Sequence, residues 1–185
     1  LDSDLKDSSP NKYDASFFTV GSASNSFGEG HSSNSSASVY LPGGNKNKCS
    51  VIQLPADNWQ SKYPQGSDMT LSMWVKTFGS ATGHSAFFAQ GSCPGVLEAG
   101  NNQIWARMQS TGEMRMLVES YQGTGNGVQV DNIWADGQWH HYAFVYKTVT
   151  DGKRSAYMYI DGVLQGSSLN KDNKMIDTTP FFIGC

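Results

Sequence analysis

Residues 136–166 read DGQWHHYAFVYKTVTDGKRSAYMYIDGVLQG. Two runs within this stretch, 139–147 and 155–160, are filled with aromatic and β-branched side chains, the types that fit a pleated, half-buried surface. The segment 148–154 between them carries Asp151-Gly152, and Asp161-Gly162 closes the second run. The stretch therefore predicts a hairpin followed by a tight turn. A period of two sets Tyr157, Tyr159 and Asp161 on one face and Ala156, Met158 and Ile160 on the other, so one face belongs to a core.

The order Trp139-His140-His141, hydrophobic strand, loop, Tyr157-x-Tyr159-Ile160-Asp161-Gly162 resembles the late part of a laminin-G-like, or concanavalin A-like, jelly-roll domain. The resemblance runs outward from there. Met69-Thr70-Leu71-Ser72-Met73-Trp74-Val75-Lys76 is similar to the family's T-hydrophobic-S-x-W-hydrophobic-K strand, and residues 4–11 resemble its opening D-S-S-G-N segment. Residues 38–41 and 49–55 are similar to its early pair of strands, and Pro180-Phe181-Phe182-Ile183-Gly184 to its penultimate strand. The fold this implies is all-β: a two-sheet antiparallel jelly-roll sandwich formed by one domain, residues 1–185. The family's last strand has no counterpart before Cys185.

Composition agrees with one such domain. A chain of 185 residues is long enough for a single full core. Its formal charge is −3 with Lys and Arg scattered singly, which offers no basic face to phosphates and excludes nucleic acid as an expected partner. No apolar run approaches the ~20 residues that span a bilayer, so membrane insertion is not expected. Charged residues make up only 16% while glycine numbers 20, a balance closer to secreted β-sandwiches than to cytosolic enzymes, and the expected location is extracellular or cell-surface.

The three cysteines, Cys49, Cys93 and Cys185, have no close spacing that suits zinc; they are disulfide candidates, one bridge leaving one thiol over. Residues 21–38 are nearly all Ser, Asn, Gly and Ala and are expected as a surface loop. Within it Asn34-Ser35-Ser36 is an N-glycosylation sequon, with Asn47-Lys48-Cys49 a weaker one. Short strands are further expected at 86–90, 103–108, 114–119 and 128–130, and residues 17–20 form either a strand or a hydrophobic plug. No helical period is sustained and no internal repeat divides the chain.

Alternation on the strand 69–76 places Met69, Leu71, Met73 and Val75 on one face and Thr70, Ser72, Trp74 and Lys76 on the other. Trp74 is the ligand-binding candidate: either an aromatic platform that stacks on the apolar face of a sugar, or a rim residue covered by a loop. Residues expected in the core are Trp139, Met73, Val75, Ala143, Val145, Met158, Ile160 and Ile183.

Catalysis is not expected. Glycoside hydrolysis needs two carboxylates a short distance apart, commonly from a Glu-x-Asp-x-Glu strand. Of the four glutamates, Glu29, Glu98, Glu113 and Glu119, none is followed two residues later by an acid. His140 and His141 are strand neighbours that point to opposite faces, so they cannot converge on one metal ion and one must face inward. His31 and His84 lie in loop-like sequence, and the nucleophile elbow, phosphate loop and dinucleotide fingerprint are all missing.

The reading that results is a non-catalytic extracellular binding or adhesion module for a glycan or an extracellular protein. Its alternatives are a structural subunit of a fibre or surface layer, contacting copies of itself or neighbouring subunits, and a divergent polysaccharide-active glycoside hydrolase or lyase. Glycan binding that depends on a sheet-face aromatic marks the first, contacts with copies the second, and turnover of a polysaccharide the third. The resemblance also implies a structural Ca²⁺ with Asp7 as a ligand; a carboxylate and loop carbonyls suit that ion, and the plainer role for Asp7 is to cap a turn. A jelly roll without its last strand is expected to expose backbone donors and acceptors. Either the polypeptide continues past Cys185, or a neighbouring subunit donates a strand.

Overall fold

A computed structural model describes residues 5–6, 9–10, 12–21, 24–30, 38–41, 49–55, 68–78, 85–90, 104–109, 113–118, 126–130, 136–150, 153–170 and 181–184. Thirteen strands are described: β1 (Ser16–Val20), β2 (Ser26–Gly28), β3 (Ser38–Tyr40), β4 (Cys49–Leu54), β5 (Met69–Phe78), β6 (Ser85–Gln90), β7 (Ile104–Met108), β8 (Met114–Val118), β9 (Asn126–Val130), β10 (Asp136–Thr150), β11 (Lys153–Ile160), β12 (Val163–Asn170) and β13 (Phe181–Ile183). There is no helix among the described residues. The strands form a seven-stranded sheet, β1-β4-β13-β6-β7-β8-β9, and a four-stranded sheet, β12-β11-β10-β5, with β2 and β3 as a small pair of their own. Every described pairing is antiparallel, so the expected sandwich is what the chain forms.

The hairpin that organised the sequence is the centre of the four-stranded sheet. Its pairing continues through a bulge to Thr150↔Lys153, so the strands run into most of the segment expected as a loop. The turn after β11 has Asp161 at φ 51° and Gly162 at φ 78°. Two successive positive φ values define a two-residue type I′ connection, whose twist matches that of the strands it joins, and Asp-Gly is a sequence that tolerates it.

Register fixes which side chains enter the core. Val75 stands opposite His140, Tyr142 stands between Met73 and Ile160, and Phe144 between Leu71 and Met158. These rows meet Phe88, Ala106, Met108, Met114, Met116, Val128, Val130 and Phe181 from the other sheet in one apolar cluster. A bulge between Ala86 and Phe88 turns both Phe87 and Phe88 inward, where Phe87 lies 4.9 Å from Tyr142 and Phe88 stacks on Phe181 at 5.6 Å. Burying side chains of this size is worth ~1.5–3 kcal/mol each.

The sheets come together along β9 and β12. A Cβ added to Gly166 would lie 2.7 Å from Val128 Cγ1, inside any real contact distance, so the absence of a side chain there is what lets the two edges approach.

Met158 and Ile160 are buried as expected, and Met73, Val75 and Ile183 pack half-buried against the core. The phase of β10 is the reverse of the expected one: Tyr142, Phe144 and Tyr146 are fully buried, with His140 beside them, while Trp139, Ala143 and Val145 lie half-buried on the opposite face. Both phases of this strand are apolar, so alternation alone could not choose. The gap between two packed sheets is filled better by three large rings than by Ala143 and Val145, and volume decides.

Candidate functional site: the outer face of the four-stranded sheet

The rows that alternate with the core rows make up the outer face. Trp74 stands opposite His141; Ser72, Ala143, Tyr159 and Leu164 form one line across the four strands; Thr70, Val145, Tyr157 and Ser167 form the next. Three aromatic side chains and an imidazole thus surround a floor of small residues, with hydroxyls at Thr70, Ser72 and Ser167.

Trp74 is 46% exposed, and its ring lies 5.3 Å from that of His141 at an angle of 55°. Leu164 is 50% exposed at the opposite edge of the same face, and Tyr157 and Tyr159 between them are half-exposed. An exposed indole beside a tilted imidazole offers a π-face to C–H groups, while its neighbours offer hydroxyls and ring nitrogens for hydrogen bonds.

Beneath this face, at one end of the core, lies a cluster of charge. His140 points inward, as one of the two histidines had to. Its Nδ1 is 2.7 Å from Asp161 Oδ2, and its Nε2 is 3.2 Å from both carboxylate oxygens of Asp136. A neutral imidazole has one N–H and one lone pair, so it can satisfy only one carboxylate; two are satisfied only by the imidazolium, which donates from both nitrogens. Burial opposes that charge, but the hydrogen bonds and fields of Asp161 and Asp136 together outweigh it and hold the His140 pKa above its ordinary value. The Asp161 carboxyl is held below the usual range by the bond to His140 and by the His141 amide, which donates to Oδ1 at 2.9 Å. Asp136 is also lowered, first by the Gln138 amide, which donates to it at 2.8 Å, and then by His140. The hydroxyl of Tyr142 is fully buried without a hydrogen-bond partner among the described residues, and burial first, then the nearby Asp161 and Asp136, pushes its pKa up strongly.

Residues 47–185 match a laminin-G family described as the Concanavalin A-like lectin/glucanases superfamily. The chain belongs to this superfamily. Among proteins of curated function, none matches the sequence. Of solved structures, the binding domain of botulinum neurotoxin DC in complex with SialylT is similar at a TM-score of 0.56 and 10% identity, with 97% of this chain and 40% of that one covered. The chain thus spans less than half the length of that neighbour, and the likeness is one of fold. A carbohydrate-binding module from Bacillus subtilis, CBM66, gives a TM-score of 0.40 at 12% identity over 79% of this chain and 83% of that one. A Bacillus licheniformis β-glucanase gives 0.46 at 13% over 92% and 86%.

The other residues that the lectin/glucanase reading singled out are placed unevenly. Asp7, Asn34, Cys93 and Cys185 lie outside the described residues, as do His31 and His84, so the calcium, glycosylation and disulfide expectations have no structural counterpart here. Cys49 begins β4, paired with Val20. Among the described residues no group of three acidic, His or Cys side chains could hold a metal ion. The Asp136–His140–Asp161 cluster was not foreseen. Its signal was present in the sequence, since Asp161 closes β11 and Asp136 opens β10, the two ends that an antiparallel pair brings together.

Proposed function

We propose that this chain is a non-catalytic carbohydrate-binding module, acting outside the cell, that takes a glycan on the outer face of its four-stranded sheet. The observation that carries the reading is the exposed Trp74 set against His141, with Tyr157 and Tyr159 in line on the same face. Superfamily membership supports it, because the superfamily is described by lectins as well as glucanases.

The absence of turnover is part of the proposal. The sequence lacks the paired-acid strand, and among the described residues Asp136 and Asp161 meet at His140 with their pKa values lowered, Asp136 first by the Gln138 amide and Asp161 first by His140. A general acid for glycoside cleavage needs a raised pKa.

The test is a glycan array probed with the intact chain and with Trp74→Ala. Binding to a defined set of glycans that disappears in the variant, whose melting temperature is unchanged, is the expected result. Equal binding by both proteins removes this face from the reading, and reducing ends released from any bound polysaccharide would replace the module with an enzyme.

A further inference from the structure

The Asp136–His140–Asp161 cluster and the Trp74–His141 pair lie on opposite faces of one sheet, and a single carboxylate touches both. Asp161 takes the His140 imidazole on Oδ2 and the His141 amide on Oδ1, and its own amide donates to the His141 carbonyl at 2.8 Å. His141 is thereby held at its amide and at its carbonyl by Asp161, while its ring lies against Trp74.

We propose that the protonation state of His140 sets the position of the Trp74–His141 pair, so that glycan binding is gated by pH, strong while His140 is an imidazolium and weaker once it is neutral. The proposal rests on the glycan-binding reading above for its ligand, and on geometry for its mechanism. When His140 loses a proton, one of two carboxylates meets a lone pair in place of a donor. Coupling to the outer face follows because Asp161 cannot shift away from His140 without moving the His141 amide it accepts from.

Among the described residues, the groups around His140 come from four elements. Asp136 comes from its own strand, as does Tyr142, whose ring lies 6.4 Å away; Asp161 comes from the β11–β12 turn; β5 places the apolar Val75 opposite, and the facing sheet brings Phe87 to Tyr142. His141 is the next residue along β10, on the outer face, so a test must separate the two histidines. Asp136 does so, being bonded to His140 and not to His141.

The experiment is an NMR pH titration of the intact chain without glycan, following the His140 ring and the Trp74 indole, in wild type and Asp136→Asn. The expected result is that the indole shift has the same midpoint as His140, and that both midpoints fall together in the variant by roughly a pH unit, the scale of one lost charge partner. An indole that is silent through the His140 transition, or that keeps its midpoint in Asp136→Asn, overturns the coupling. The array repeated at pH ~6 and pH ~9 is expected to show a several-fold loss of signal at the higher pH, which the variant moves to lower pH. If the two midpoints coincide but no glycan binds at either pH, the coupling is upheld and the glycan-binding reading fails; glycan binding with uncoupled midpoints does the reverse.

Discussion

Nδ1 of His140 lies 2.7 Å from the carboxylate of Asp161, a contact that fastens the β11–β12 turn to β10, an inner strand of the same sheet. The contact joins a side chain that is buried to one that is 43% exposed, so its strength depends on charge at both ends.

The first prediction concerns stability against pH. His140 has a raised pKa, so its contribution is complete below the ordinary histidine value of ~6.5 and is lost as pH rises through the higher folded value. Asp136 and Asp161 are lowered, so theirs is present above the usual carboxylate range and is lost as pH falls through the depressed values. Thermal melts should show a plateau between the two limits, with a decline on the alkaline side that His140→Gln abolishes. An identical alkaline decline in the variant would assign it to other groups.

A second prediction tests the phase of β10. Phe144 is fully buried against Phe88 at 5.0 Å, and Val145 lies on the outer face. Phe144→Ala should cost ~3–5 kcal/mol, as cavity-forming changes of a large ring do. Val145→Ala should cost under ~1 kcal/mol, the span of strand propensity on a half-exposed face. Urea titrations of the two variants that gave the opposite order would restore the phase the sequence suggested.

Why that phase was misread, while the sandwich itself was legible, is a matter of what alternation encodes. On β5 the two faces differ in polarity, Met69, Leu71, Met73 and Val75 against Thr70, Ser72 and Lys76, and the assignment from sequence holds. On β10 both faces are apolar, and only the facing sheet, which brings Phe87 and Phe88 to within ring contact of Tyr142 and Phe144, selects between them. Trp74 was legible as a candidate because it interrupts the polar face of β5. Its partner His141 was not, since the pairing Trp74↔His141 is a product of register across 67 positions of chain, set by tertiary pairing and by no local signal. The charge cluster was legible in part, since Asp136 and Asp161 stand at the two strand ends that the β10–β11 hairpin brings together; the misread phase of β10 left open which histidine would turn inward between them.

The seam between the sheets supplies a third prediction. Gly166 faces Val128 and Val130 of β9, and an added Cβ would strike Val128, whose branched side chain has little rotamer freedom to retreat. Gly166→Val should overpack the seam and destabilise by ~1–3 kcal/mol. Gly162→Ala meets no atom within 4 Å, so whatever it costs comes from its φ of 78° and not from crowding. Comparing the two by denaturant unfolding separates close approach from backbone strain; equal losses in both would mean that the β9–β12 contact is looser than the structure has it.

Tyr142 gives the last prediction. Its ring is held on two sides, stacked 6.2 Å from Phe144 at an angle of 7° and 4.9 Å from Phe87, so the side chain has a defined position that phenylalanine can take over unchanged. Its hydroxyl, by contrast, is buried without a hydrogen-bond partner among the described residues, and a hydroxyl desolvated in this way costs ~1–3 kcal/mol that packing elsewhere must offset. Tyr142→Phe removes the polar atom and keeps the rings, so the expected outcome is a rise in melting temperature, with a stability gain of about 1 kcal/mol. The same variant reports on the neighbouring charges: the fields of Asp136 and Asp161 reach this hydroxyl, and its loss should leave the alkaline decline attributed to His140 in place. A drop in melting temperature would show that the hydroxyl contributes an interaction, and the core around His140 would then be a bonded polar network in place of an apolar layer with one unpaired donor.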